Sequence, residues 1–325
     1  MKKILVIKLG ALGDFLQALG PFKAIRDHYK NDHVTLLTTP AFKEIAEDSG
    51  YFNAVMAFPR LKGRQIFKLL KRIFFLKSEN FEVIYDLQTS SHTSRYFYYL
   101  RLMGWRGEFS GIAYGCTYPH KNKHRDLQHT LERQKEQLND AGLFDVPFPD
   151  LSFLRKKKAS DEVLDVIHSQ RPFVILVPGG APTRLDKRWP LQGWLEILKR
   201  LQAQRITTVI IGGGGEKNLN DAFKPGQPFL INLIGKTNFV DLAHLGAHAL
   251  CALGNDTGPM HLLALSGCPS TVLFNLNASN PDLCGPKGKK VCYLCEKDLS
   301  RLEVDHVWKN LLEHKTEVLK KDFKG

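Results

Sequence analysis

The chain lacks any apolar run approaching the ~18–20 residues that a membrane-crossing helix needs, which argues against a transmembrane anchor of that kind. Its start, MKK followed by ILVI, imitates the basic and apolar regions of a secretion signal. Lys8 breaks that run, however, and Asp14 arrives before a full-length apolar core can form. A buried first strand and a cytoplasmic location are expected. Cysteine is sparse: Cys116, Cys251 and Cys268 are isolated, and only Cys284, Cys292 and Cys295 cluster, with His306 as a possible fourth ligand. Structural zinc usually shows two tight ligand pairs, and one pair alone favours reduced, unliganded thiols. No D-x-D pair suggests a divalent metal. No helix-turn-helix, zinc-finger or RNP-type pattern supports nucleic acid as a partner. The spacing Gly10-x-x-Gly13 fits neither the dinucleotide fingerprint nor a Walker loop.

What the sequence does have is an ordinary globular balance, 43% hydrophobic and 24% charged, with a net charge of +13. The positive charge is concentrated. Residues 60–77, RLKGRQIFKLLKRIFFLK, hold seven Lys or Arg and no acid. Smaller basic clusters lie at 121–125, 155–158 and 287–290. Such a balance points to an anionic partner: nucleic acid, an anionic membrane surface or a phosphorylated substrate. A solvated helix face is the plainer explanation for any single cluster.

Short apolar, β-branched runs alternate with helix-length amphipathic segments in both halves. Strands are expected at 3–8, 33–38, 54–58, 82–87 and 108–113, then at 172–177, 206–211, 229–233, 250–254 and 270–275. Near-continuous apolarity in FVILV and TTVII fits strands covered on both faces. The alternation implies parallel sheets with right-handed crossovers, hence two five-strand Rossmann-like α/β domains. The Pro- and charge-rich stretch 145–162 contains the expected boundary, giving domains 1–155 and 156–325. The last helix, about 303–320, either finishes the second domain or packs back on the first.

Three strand ends carry candidate chemistry. After the first, KLGALGDF presents Lys8, Gly10, Gly13 and Asp14. Asp14 and Gln17 are spaced as a capping box, yet the same carboxylate sits at the carboxyl end of a strand, where open α/β sheets hold ligands. In the second half, VPGGAPTRLDKRWP offers Thr183, Arg184, Lys187 and Arg188, cations of the type a departing phosphate needs. GNDTGPMHLLALSG follows a strand and opens a helix at Asp256, Thr257, Gly258 and Pro259, a natural diphosphate site, with His261 one turn further on. The run IIGGGGEKN permits close backbone approach and adds Glu216, which could accept hydrogen bonds from ribose hydroxyls.

In this order, ILVIKLGALGD, TRLDKRWP, NDTGPMHLLAL and NPDLCGPKG with the Cys292/Cys295 pair, the chain resembles the lipopolysaccharide heptosyltransferases of glycosyltransferase family nine. The resemblance implies a GT-B fold, two Rossmann-like parallel-sheet domains facing each other across a cleft. The first would bind the acceptor and the second the nucleotide sugar. It implies inverting transfer of heptose from ADP-L-glycero-D-manno-heptose to the lipopolysaccharide inner core, an acceptor of the Kdo-lipid A type. Asp14 matches the proposed general base and Lys187 the cation at the diphosphate. Glu216 matches a nucleoside contact, and Asp256, Thr257, Gly258 and His261 match the donor segment. No cofactor or metal is expected, since Lys187 and the helix start would supply the positive charge. The 60–77 segment, with Phe67, Phe74 and Phe75 interleaved, would lean on the anionic inner membrane or the acceptor's phosphates, making the protein peripheral on its cytoplasmic face. An ordinary packed helix with a basic outer face fits the same residues. The competing enzymatic reading is a GT-B transferase or epimerase acting on another nucleotide sugar, such as a GlcNAc donor. The competing non-enzymatic one is a basic nucleic-acid-binding protein.

Overall fold

The structure is a computed structural model that describes residues 1–60, 65–169, 171–214 and 216–322. It divides into two compact units, Met1–Asp150 and Leu151–Gly325. The short helix Ser152–Arg155, expected at the tail of the first domain, packs with the second unit on helix Phe239–His248. Among the described residues no helix is long and apolar enough to cross a membrane.

The first unit is a parallel sheet of six strands: β1 Lys3–Ile7, β2 His33–Thr38, β3 Ala54–Ala57, β4 Val83–Asp86, β5 Glu108–Gly111 and β6 Tyr118–Pro119. Their spatial order is β3-β2-β1-β4-β5-β6. The ILVI of β1 is fully buried, as a strand covered on both faces must be. The direction of winding reverses between β1 and β4, where Ile7 pairs with Asp86. The carboxyl ends of those two strands therefore form the topological switch point, where open α/β sheets leave a crevice.

The second unit repeats the plan with β7 Phe173–Val177, β8 Thr207–Ile210, β9 Leu230–Asn232, β10 Cys251–Asn255, β11 Ser270–Asn275 and β12 Val291–Glu296, in the order β12-β11-β10-β7-β8-β9. Its switch point lies between β7 and β10, where Val177 pairs with Gly254. Among the described residues both sheets have six strands rather than the expected five. Strand β6 has only two residues, too short for any periodicity, and β12 reads VCYLCE, a half-exposed edge strand without a β-branched run. Helix Gly258–Leu265 is apolar except for His261 and buried from Met260 to Ala264, packed against β10, β11 and helix Phe239–His248. The last helix, Val304–Asp322, buries Val307 and Leu311 against Trp189, Leu198, Leu294 and Leu299. Its first turns thus add to the core of the second unit.

Candidate active site

In the first unit the turn after β1 is held from three sides. The buried Lys8 ammonium donates to the Leu87 carbonyl at 3.0 Å. The Leu9 N–H donates to Gln88 Oε1 at 2.8 Å. The Arg60 guanidinium donates to the carbonyls of Leu9, at 2.7 Å, and of Gly10. Asp14 folds back over this turn: a Cβ on Gly10 would stand 2.9 Å from Asp14 Cβ and 3.5 Å from Lys8 Cε. Only glycine fits beneath the carboxylate. Gly13 is buried one residue before it.

The capping-box expectation for Asp14 fails. The helix runs Leu12–Gln17 with Ala11 at its N-cap and no side-chain cap, so Gln17 lies at the last turn and not the first. Asp14 stays in the first turn, where the helix dipole favours a negative charge, and it is half-exposed. Among the described residues no donor is hydrogen-bonded to its carboxylate.

Asp86, at the end of β4, is fully buried beside this turn, its Oδ1 accepting from the N–H of Gln88 (3.1 Å) and Thr89 (3.2 Å). Burial pushes its carboxyl up to about 6, against those hydrogen bonds and the Lys8 charge. Burial pulls Lys8 down to about 8, with Asp14 and Asp86 opposing and Arg133 and Arg125 reinforcing the shift. Arg125, from the basic 121–125 cluster, donates to Thr89 Oγ1 at 2.9 Å and to His120 Nδ1 at 3.1 Å. Asp86, Gln88 and Arg125 went unnoticed as site residues. The one available signal was the acidic end of VIYD, in register with the residue before Lys8.

In the second unit the organising residue is Asn255, fully buried at the end of β10. Its Nδ2 donates to the carbonyls of Pro178 (2.8 Å) and Gly179 (3.1 Å), and its Oδ1 accepts the Trp189 N–H at 3.0 Å. One side chain thus ties both ends of the cationic loop to the strand that leads into NDTG. Asn275 does the same from β11, donating to the Asp186 carbonyl at 2.7 Å. The loop then sets Lys187 against Asp256, Nζ to Oδ2 at 2.5 Å, and Ser279 donates to the same oxygen at 2.7 Å. Arg184 donates to the Ala278 carbonyl at 2.9 Å and pairs with Asp186 at 3.2 Å, while Thr183 is exposed.

Glu216 is held by two backbone groups. It is buried, with Oε1 accepting the Gly180 N–H at 2.6 Å and Oε2 the Gly213 N–H at 2.9 Å, and Arg188 lies 3.7 Å away. Its carboxylate braces the glycine turn after β7 against the one after β8. Of that glycine run, Gly215 lies outside the described residues, as do residues 61–64 of the basic segment.

Helix Gly258–Leu265 begins after Thr257 in extended conformation, with no side chain capping it. Thr257 Oγ1 and Arg188 Nε are buried polar atoms without a partner among the described residues. Both look onto Gly180, where a Cβ would stand 3.5 Å from Thr257 Cγ2 and 3.6 Å from Arg188 Nε. An uncapped helix start and two orphaned donors offer contacts an anion would use, and Lys187 is held on the adjacent Asp256. Asp256 is nearly buried, Gly258 opens the helix, and His261 is buried one turn further in. Among the described residues no three His, Cys, Asp or Glu gather closely enough to hold a metal ion, and none of the six cysteines is in a disulfide.

Residues 67–307 match the model of glycosyltransferase family 9 (heptosyltransferase). The chain belongs to that family. It is a glycosyltransferase, and its pair of parallel-sheet α/β units is the GT-B architecture of its structural relatives. The family match begins after the first turn and does not reach Asp14. Lipooligosaccharide heptosyltransferase 2 of Haemophilus influenzae is 22% identical over 288 residues, spanning 83% of this family 9 chain and 82% of its own. The structure of the E. coli ADP-heptose lipopolysaccharide heptosyltransferase II superposes with a TM-score of 0.76 at 19% identity, over 99% of this chain and 100% of that one. An E. coli heptosyltransferase solved with ADP gives 0.70, also at 19% identity, over 96% and 99%.

Proposed function

We propose that this chain transfers heptose from ADP-L-glycero-D-manno-heptose to the Kdo/heptose inner core of lipopolysaccharide, with inversion and without a metal ion. The observation that carries this is the anion site at the start of helix Gly258–Leu265: orphaned Thr257 Oγ1 and Arg188 Nε beside the Lys187 ammonium. The names of the relatives, one of them solved with ADP, support the donor.

In this reading the donor diphosphate meets Thr257, Gly258, Lys187, Arg184 and Arg188, with Thr183 and His261 at the margins of the same segment. Glu216 acts for the nucleoside through the two glycine turns it braces. On the acceptor side Lys8, Gly10 and Gly13 shape the turn that presents Asp14. Asp14 takes the proton from an acceptor hydroxyl as that oxygen bonds to the anomeric carbon. The bond from that carbon to the phosphate oxygen breaks on the opposite face, and its electron pair leaves with ADP. The growing charge on the diphosphate is met by cations already positioned, so no metal is needed for that task. The acceptor's lipid end would bring the protein to the cytoplasmic face of the inner membrane.

The test is mass spectrometry of purified protein incubated with ADP-, UDP- and GDP-sugars and Kdo-lipid A. A heptose added only with ADP-heptose is the expected result. Turnover of a UDP-GlcNAc donor, or nucleoside diphosphate release with no sugar reaching an acceptor, would instead favour the other GT-B transferase or epimerase.

A further inference from the structure

Helix Ile66–Ser78 is amphipathic in an unusual way. Leu69, Arg72, Ile73 and Leu76 recur at helical spacing and face the core of the first unit, where Arg72 donates to the Tyr96 hydroxyl at 3.0 Å. The opposite face carries Phe67 and Phe74, with Phe67 85% exposed, while Phe75 lies at its edge with its ring against Phe58. Exposed Lys68, Lys71 and Lys77 are interleaved with them, and the helix contains no acid. A solvated surface helix normally turns polar side chains outward. Here large aromatics stand there instead.

Helix Ser91–Leu102 packs beside it and also contains no Asp or Glu. Both lay their buried stripes on the sheet face that carries Leu5, Ile7 and Ile84, so both outer faces turn away from the sheet. The outward stripe of the second helix is Ser91, Arg95, Tyr98 and Leu102, the last 82% exposed, and exposed Arg106 follows just after. The Tyr114 N–H donates to the Tyr98 hydroxyl at 2.9 Å, bringing a side chain that is 91% exposed to the same stripe. Aromatic and leucine side chains set among cations, with no anion on either helix, match the chemistry of an anionic bilayer surface. The apolar groups enter the headgroup boundary while the ammonium and guanidinium groups meet lipid phosphates.

We propose that the outer faces of helices Ile66–Ser78 and Ser91–Leu102, with Tyr114, form a docking surface for an anionic lipid bilayer. The proposal rests on the glycolipid acceptor for its purpose, but lipid binding is measured without donor or acceptor.

The experiment is vesicle flotation of the full chain. Vesicles of phosphatidylcholine and phosphatidylglycerol in equal parts are compared with phosphatidylcholine alone. The expected result is binding to the anionic vesicles that weakens as salt is added. Combined Phe67→Ser, Phe74→Ser and Leu102→Ser substitution should lower the partition coefficient about tenfold or more. Lys68→Gln with Lys71→Gln should lower it about tenfold on anionic vesicles only. Turnover on a soluble, delipidated core acceptor should be unchanged in both variants, which separates this surface from the transfer site. Equal partition onto both vesicle types, or variants that bind like the parent chain, overturns the proposal. So does light scattering that finds a dimer which the triple variant splits, because a second copy would then be the occupant.

Discussion

Lys187 and Asp256 face each other at 2.5 Å across the switch point of the second sheet, and Ser279 donates to the same carboxylate oxygen. The proposed phosphate-binding cation is therefore already committed to an anion, and a donor diphosphate must share it. Lys187→Ala leaves a nearly buried Asp256 charge uncompensated, with an expected cost of about 3 kcal/mol. Adding Asp256→Asn should restore most of that stability in urea unfolding. If Lys187 also meets the diphosphate, donor kcat/KM stays down about a hundredfold in the double variant. Recovery of donor use there would reduce Lys187 to a brace.

Asp14→Asn keeps the volume of the side chain and removes the base. Transfer should fall about a hundredfold or more while donor affinity, read by calorimetry, stays at the parent value. Near-normal turnover would remove Asp14 from the base role.

Glu216→Gln tests the brace between the two glycine turns. One of its two terminal groups becomes an amide donor facing a backbone N–H, either that of Gly180 or that of Gly213. An unsatisfied pair of donors at a buried site should cost about 1–3 kcal/mol. Because the turn at Gly180 borders the anion site, the donor KM should rise as well. A variant as stable as the parent would mean the carboxylate is not holding the turns.

The buried Asp86 carboxyl, pushed up to about 6 by desolvation, makes a signed prediction about pH. Its folded value lies above that of the unfolded chain, so between pH 4 and 6, roughly, the native state holds the extra proton and stability falls as pH rises. The whole effect is at most about 3 kcal/mol. Asp86→Asn keeps an oxygen for the Gln88 and Thr89 N–H groups and removes that slope. Urea midpoints of parent and variant, compared at acid and neutral pH, should therefore differ most at neutral pH, in favour of the variant. A difference independent of pH would contradict the assignment.

The proposed chemistry also predicts that EDTA leaves the initial rate of heptose transfer unchanged. Activity lost on chelation and recovered with magnesium would require a different account of how the diphosphate charge is met.

Two unbroken apolar segments, ILVI and FVILV, announced both sheets, because a strand covered on two faces needs that composition whatever surrounds it. Gly10 and the Asn-Asp-Thr-Gly entry to a helix were equally legible as local patterns with local reasons, whereas the capping box read at Asp14 was not formed. The family likeness carried the reading from there to sugar transfer. Strand β12 was lost because its half-exposed VCYLCE follows no simple period.

Local sequence determined the sheets, the strand-end turns and the residue types offered at them. Tertiary structure alone decided what those residues are bonded to. Asn255 reaches Pro178 and Trp189 across the sheet, Glu216 joins two turns far apart in sequence, and Lys187 finds Asp256 rather than open solvent. Each of these contacts links segments that only the strand order brings side by side, and hydrogen bonding between such segments leaves no periodic mark in either of them.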